Sequence, residues 1–111
     1  MSPLPNDALV CRGGTCTATR FSTGSGVTRR SDGILDGVSV NCAAAASLEA
    51  LTHSIPNRQV GATTVGAVRA AGGGVTSAPT SRNPHHCVMN GVTATQAEQL
   101  FTPTVANPNF E

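Results

Sequence analysis

The sequence predicts an α+β fold: a small single domain with a short twisted sheet and about three helices. Three observations predict it. The chain has 111 residues, the size of one ordinary domain. Its apolar residues, 39% of the total, fall in short periodic runs. Strand-like and helix-like segments follow one another as strand, strand, helix, helix, strand, helix, which is a mixed architecture.

The elements follow in order. Residues 1–7 read as a flexible leader and 8–111 as the domain. Ala8 to Arg12 is a short apolar run ending at Gly13-Gly14, a strand and a turn. Thr15 to Phe21 suits a short helix or an extended piece. Ser22 to Gly26 is a Gly/Ser-rich loop. Thr28 to Gly33 ends in an Asp-Gly turn signal, and Ile34 to Asn41 reads as a strand with Asp36-Gly37 as a second turn. Ala43 to His53 gives the clearest helix signal, capped by Ser47, with Leu48 and Leu51 on one face and Pro56-Asn57 as its stop. Gln59 to Ala62 is short and apolar. Thr63 or Thr64 caps a second helix that ends at Gly72-Gly73-Gly74. Val75 to Pro84 reads as a polar loop and His86 to Asn90 as a strand. Thr93 caps a third helix, Ala94 to Phe101, and Gln96 completes a capping box. Pro103 and Pro108 predict an irregular tail. Further strands are expected in the Gly-rich first half.

Composition limits both core and partners. With no Trp or Tyr, the core must come from Val, Leu, Ile and Ala, with Phe21, Phe101 and Phe110 as its largest pieces. All seven basic side chains are Arg, whose planar fork fits phosphates and carboxylates, although a GC-rich genome gives the same bias. A net charge of +1 argues against a broad surface that coats nucleic acid and leaves a focused site open. There is no long apolar run and no signal-peptide pattern, so no membrane partner is expected. Cys11, Cys16, Cys42 and Cys87 are spaced too irregularly for a closed zinc site, and free thiols or one disulfide are expected instead.

Four clusters carry chemistry-bearing side chains. Arg12 ends a strand before two glycines, where a guanidinium can project toward a ligand. Ser39 and Asn41 share one face of a strand whose other face carries Val38 and Val40. Thr63, Thr64 and Arg69 surround a helix N-terminus, whose free amides suit an anion. His85 and His86 follow Asn83-Pro84. Adjacent residues on a strand point to opposite faces, so only one of the two can serve a given site, and histidine suits proton transfer near neutral pH. Each cluster also has a plain structural use: an edge arginine, a wetted strand face, an ordinary helix cap, exposed loop histidines. His53 suits the dipole at its helix end. Glu49, Glu98 and Glu111 form no paired-carboxylate motif.

The ordered set Arg12-Gly13-Gly14, Gly37-Val38-Ser39-Val40-Asn41, the run from Ile55-Pro56-Asn57 through Gly61, Thr63-Thr64, Gly66 and Arg69 to Gly72-Gly73, and Asn83-Pro84-His85-His86-Cys87 resembles the small C-terminal toxin domains of bacterial polymorphic toxins. Such domains sit behind Rhs or contact-dependent delivery proteins, or occur as short separate chains. The resemblance runs from about Val10 to Pro108. It implies action in the bacterial cytoplasm, after delivery from another cell, and a cognate immunity protein as partner.

Two activities follow from the resemblance. The first is metal-independent cleavage of an RNA substrate, similar to the barnase–EndoU–colicin–RelE group and needing no cofactor. His86 would be the acid/base with His85 as its substitute, Arg12 or Arg69 would cover the phosphate charge, and Ser39, Thr63 or Thr64 would hold phosphate oxygens. The second is ADP-ribosyl transfer from NAD. That superfamily uses a strand-borne Arg, then a Ser on a strand, then a Glu. Arg12 and Ser39 match the first two, while His86-Cys87 stands where the Glu would be. A non-enzymatic binding or immunity-type module is the third class. Arg12, Ser39 and His86 are expected to converge on one cleft.

Overall fold

The computed structural model describes residues 4–24 and 26–109. Phe110 and the first three residues of the leader lie outside them. Among the described residues the α+β expectation holds, with more strand than the sequence suggested. The elements are β1 (Leu9–Gly13), α1 (Ala18–Ser22), β2 (Thr28–Arg29), β3 (Ile34–Asp36), β4 (Val38–Ala43), α2 (Leu48–Thr52), β5 (Gln59–Thr64), α3 (Val65–Ala70), β6 (Gly74–Ser77), β7 (His86–Asn90), β8 (Val92–Thr93), α4 (Ala94–Phe101) and β9 (Val105–Ala106). Six strands form one antiparallel sheet in the order β6-β7-β4-β1-β5-β9, and β2-β3-β8 form a small second sheet.

Strand alternation sorts the large sheet into two faces. Val10 pairs with Cys42 and Val40 with Cys87, and all four join the main core. Against them pack Phe21 of α1, Val65 and Val68 of α3, and Ala97 and Phe101 of α4. The Phe21 and Phe101 rings meet at 5.3 Å between centroids, tilted by 48°, a favourable aromatic geometry. The alternate residues face the other way. Cys11 pairs with Asn41, and Asn41 with His86. This second face is covered by α2, whose Leu51 is fully buried and whose Leu51 carbonyl accepts from Asn41.

The helix ends obey local chemistry. The side chains of Ser47, Thr64 and Thr93 each accept from the backbone N–H three residues on, and Thr93 with Gln96 forms the expected reciprocal box. The segment Ile34 to Asn41 is two strands broken at Gly37, which sits at φ 81°. Three expectations need correction. The helix expected from Ala43 is only Leu48–Thr52, because β4 runs on to Ala43 where it pairs with β1. The expected loop from Val75 begins as edge strand β6, hydrogen-bonded to β7. The tail is not wholly irregular, since Val105 and Ala106 pair with β5. In the described part of the leader, the Leu4 carbonyl and the Asn6 side chain accept from Arg69.

Among the described residues no helix is long and apolar enough to cross a membrane.

Candidate functional site

The β1–β4 ladder ends at Cys11–Asn41, yet β1 continues to pair with β5 as far as Gly13. The two central strands therefore part at this end of the sheet, and a cleft of about 250 Å³ opens beside the gap. Arg12 alternates to the core face and reaches the gap from there. Its guanidinium lies 5.0 Å from the Phe21 ring centroid and donates to the Ser39 carbonyl at 2.6 Å. Burial lowers its pKa below the usual guanidinium value, partly offset by Cys16; an arginine so far above neutrality stays charged.

Ser39 and His86 enter from β4 and β7, on the opposite face. His86 Nδ1 lies 2.8 Å from the Ala78 carbonyl, and its Nε2 lies 3.2 Å from Ser39 Oγ. A carbonyl only accepts, so Nδ1 carries the ring proton. The neutral ring then presents an Nε2 lone pair to the cleft, and the Ser39 hydroxyl donates to it. The Ala78 amide also donates to the His86 carbonyl, at 2.9 Å, so the same residue fixes both backbone and ring.

Arg12, Ser39 and His86 thus line one cleft, as expected from the sequence, together with Cys11, Gly13, Asn41, Ser54, Asn57 and Asn83. Asn41 also lines it, but its amide is committed. It donates to the Leu51 carbonyl at 2.8 Å and accepts from Asn83 at 2.8 Å. It ties α2 and the β6–β7 connection to the sheet, and so acts on the shape of the cleft.

The other expected residues lie elsewhere. His85 lies in the turn just before β7 and lines a neighbouring cavity. Thr63 pairs with Val10, and Thr64 caps α3. The α3 N-terminus has no amides to offer an anion there: Val65 and Gly66 donate to Ala8 and Asn6 carbonyls, and Ala67 to Thr64. Arg69 is occupied with Leu4 and Asn6. These three residues do not join the cleft.

Sequence reasoning passed over Asn83 and Asn57 as site residues. Each adjoins a proline, and that signal was readable. Gly13 explains how Asn57 comes so close: a Cβ at Gly13 would stand 2.3 Å from Asn57 Oδ1 and 2.6 Å from Ile55 Cγ2.

All four cysteines are free and buried. Burial pushes the Cys11 thiol, on the cleft wall, up to about 12. At pH 8 only roughly one such thiol in 10⁴ is ionised, so alkylation should be very slow. Iodoacetamide at pH 8 should leave Cys11 of the folded chain unmodified and label it rapidly in denaturant, as read by peptide mass spectrometry. Equal labelling in both conditions would contradict its placement.

No protein-family model, characterised protein or solved structure matches the chain.

Proposed function

We propose that the cleft binds NAD and transfers its ADP-ribosyl group, in the setting of the toxin domains that the sequence resembles. The observation that carries this reading is the placement of Arg12, Ser39 and His86 on three neighbouring strands, β1, β4 and β7, around the gap between β1 and β4.

The number of proton-transfer groups favours NAD over RNA. Cleaving RNA through its 2′-hydroxyl needs one acceptor for that proton and one donor for the leaving oxygen. Among the described cleft-lining residues, one imidazole and no carboxylate are present, and burial keeps the Cys11 thiol protonated. Breaking the glycosidic bond of NAD needs no donor. The electron pair of the C1′–N bond leaves with the pyridinium nitrogen, and nicotinamide departs neutral. Positive charge passes to the ribose. An acceptor hydroxyl then bonds to C1′ and gives up its proton, for which the His86 Nε2 lone pair is placed. Arg12 covers the pyrophosphate, and Ser39 keeps Nε2 hydrogen-bonded until substrate arrives. Here NAD is a substrate, consumed in the reaction.

Metal-independent RNA cleavage is the second reading. It is favoured by the presence of His86 Nε2 and the Arg12 charge at the same cleft. Parallel incubations in EDTA separate the two. Nicotinamide release from NAD, with labelled ADP-ribose transferred to a macromolecule of a bacterial lysate, supports the transferase. Intact NAD with fragmented RNA replaces it by the nuclease. Neither reaction, with a stable protein complex isolated instead, favours the binding or immunity module.

A further inference from the structure

Beside the cleft lies a second cavity, of about 390 Å³. Ala50, His53 and Ser54, at the end of α2, form one wall. Arg82, Asn83, Pro84 and His85, from the β6–β7 connection, form the other. Ser54 and Asn83 also line the cleft, so a ligand in one cavity adjoins a ligand in the other.

The lining has a distinct chemistry. His53, Arg82 and His85 bring nitrogen donors, and the lining holds no carboxylate. Glu49, the acid of α2, is not part of it. Arg30 pairs with Asp36 outside this cavity, and among the described residues the side chains of His53, Arg82 and His85 have no hydrogen-bond or charged partner. Three side chains that can donate thus line one cavity that holds no carboxylate. The loop that carries two of them is held in place: Asn83 donates to Asn41 at 2.8 Å and accepts from the His85 backbone at 3.1 Å.

We infer that this cavity is a phosphate-binding subsite. A guanidinium fork matches two oxygens of a phosphate, and imidazole N–H groups can satisfy others. The volume admits a phosphate with its attached sugar, being within the range of small-ligand pockets. A chain with a net charge of +1 attracts anions weakly overall, so binding here rests on these local donors. The phosphate is either one half of the dinucleotide's pyrophosphate, the other half meeting Arg12, or that of a polynucleotide that receives the transferred group. The subsite is testable apart from the transferase reading, because the titration below reads phosphate binding itself.

The test is an NMR titration of the full chain with inorganic phosphate, following the histidine ring protons. The chain has three histidines, so single substitutions assign every ring signal. Saturable shifts of the His53 and His85 signals are expected. Arg82→Gln, at an exposed position, should weaken the apparent affinity about tenfold, the loss of one charge-assisted hydrogen bond. Unmoved signals, or equal affinity in Arg82→Gln, would overturn the subsite. Displacement of phosphate by NAD assigns the group to the dinucleotide, and displacement by a short oligoribonucleotide but not by NAD assigns it to a polynucleotide. If phosphate binds as described and NAD is never cleaved, the subsite stands and the transferase reading falls.

Discussion

Replacing His86 with alanine should lower transfer of labelled ADP-ribose to its acceptor by about 10²–10⁴-fold, the usual effect of losing a positioned acid or base. His86 supplies the one imidazole among the described cleft-lining residues. Its ring is held by the Ala78 carbonyl at 2.8 Å, so Nε2 faces the cleft as an acceptor before substrate binds. The alanine variant keeps the strand and loses that acceptor. His86→Asn is the informative companion, because its amide can donate or accept a hydrogen bond but cannot take up a proton. It should bind NAD nearly as well as the parent chain and transfer the ADP-ribosyl group as poorly as alanine does. Arg29→Ala, in the second sheet, should leave the rate unchanged. Circular dichroism checks that each variant is folded. An alanine variant with the parent's rate would remove His86 from the chemistry.

Gly61→Ala should be the most damaging methyl addition in the large sheet. Gly61 lies opposite Arg12 on β5. A Cβ there would stand 2.5 Å from the Phe101 carbonyl oxygen, 2.7 Å from Cys16 Sγ and 2.8 Å from Phe101 Cβ. A backbone oxygen cannot rotate aside, so the end of α4 must move, and Phe101 with it. Overpacking of this kind costs about 1–3 kcal/mol, occasionally more. Urea denaturation should show a lower midpoint with an unchanged slope. Gly74→Ala is the control, with nothing within 4 Å of its added methyl. Two equal midpoints would mean that α4 does not lie against β5 as described.

What could be read in the sequence was local chemistry. The Thr93–Gln96 box needs only residues three apart, and it placed the cap and the start of α4. The polar positions on the central strands were readable because strand alternation is a property of a single segment: Ser39 and Asn41 share a face. His85 precedes β7 and reaches a second cavity from the turn. Tertiary pairing was not readable. The alanines after Cys42 have high helix propensity, but β4 continues through Cys42 to Ala43 because it lies between β1 and β7. Edge strand β6 buries Val75 while Thr76 and Ser77 stay exposed, so it carries no hydrophobic pattern. The Asn41–Asn83 bond joins residues 42 positions apart and leaves no trace in either segment. The anion site expected at Thr64 failed for the same reason, since the competing acceptors, Asn6 and Ala8, lie far back in the chain.

Under the proposed function, Arg12, Ser39 and His86 form one site for NAD. A crystal structure of the chain with a carbon-linked NAD analogue, whose nicotinamide cannot leave, tests it most directly. The pyrophosphate should lie against Arg12, and C1′ of the nicotinamide ribose should face His86 Nε2 across a space that admits an acceptor hydroxyl, with Ser39 Oγ beside it. An analogue seated away from the gap between β1 and β4, or a cleft still empty at saturating analogue, would contradict it.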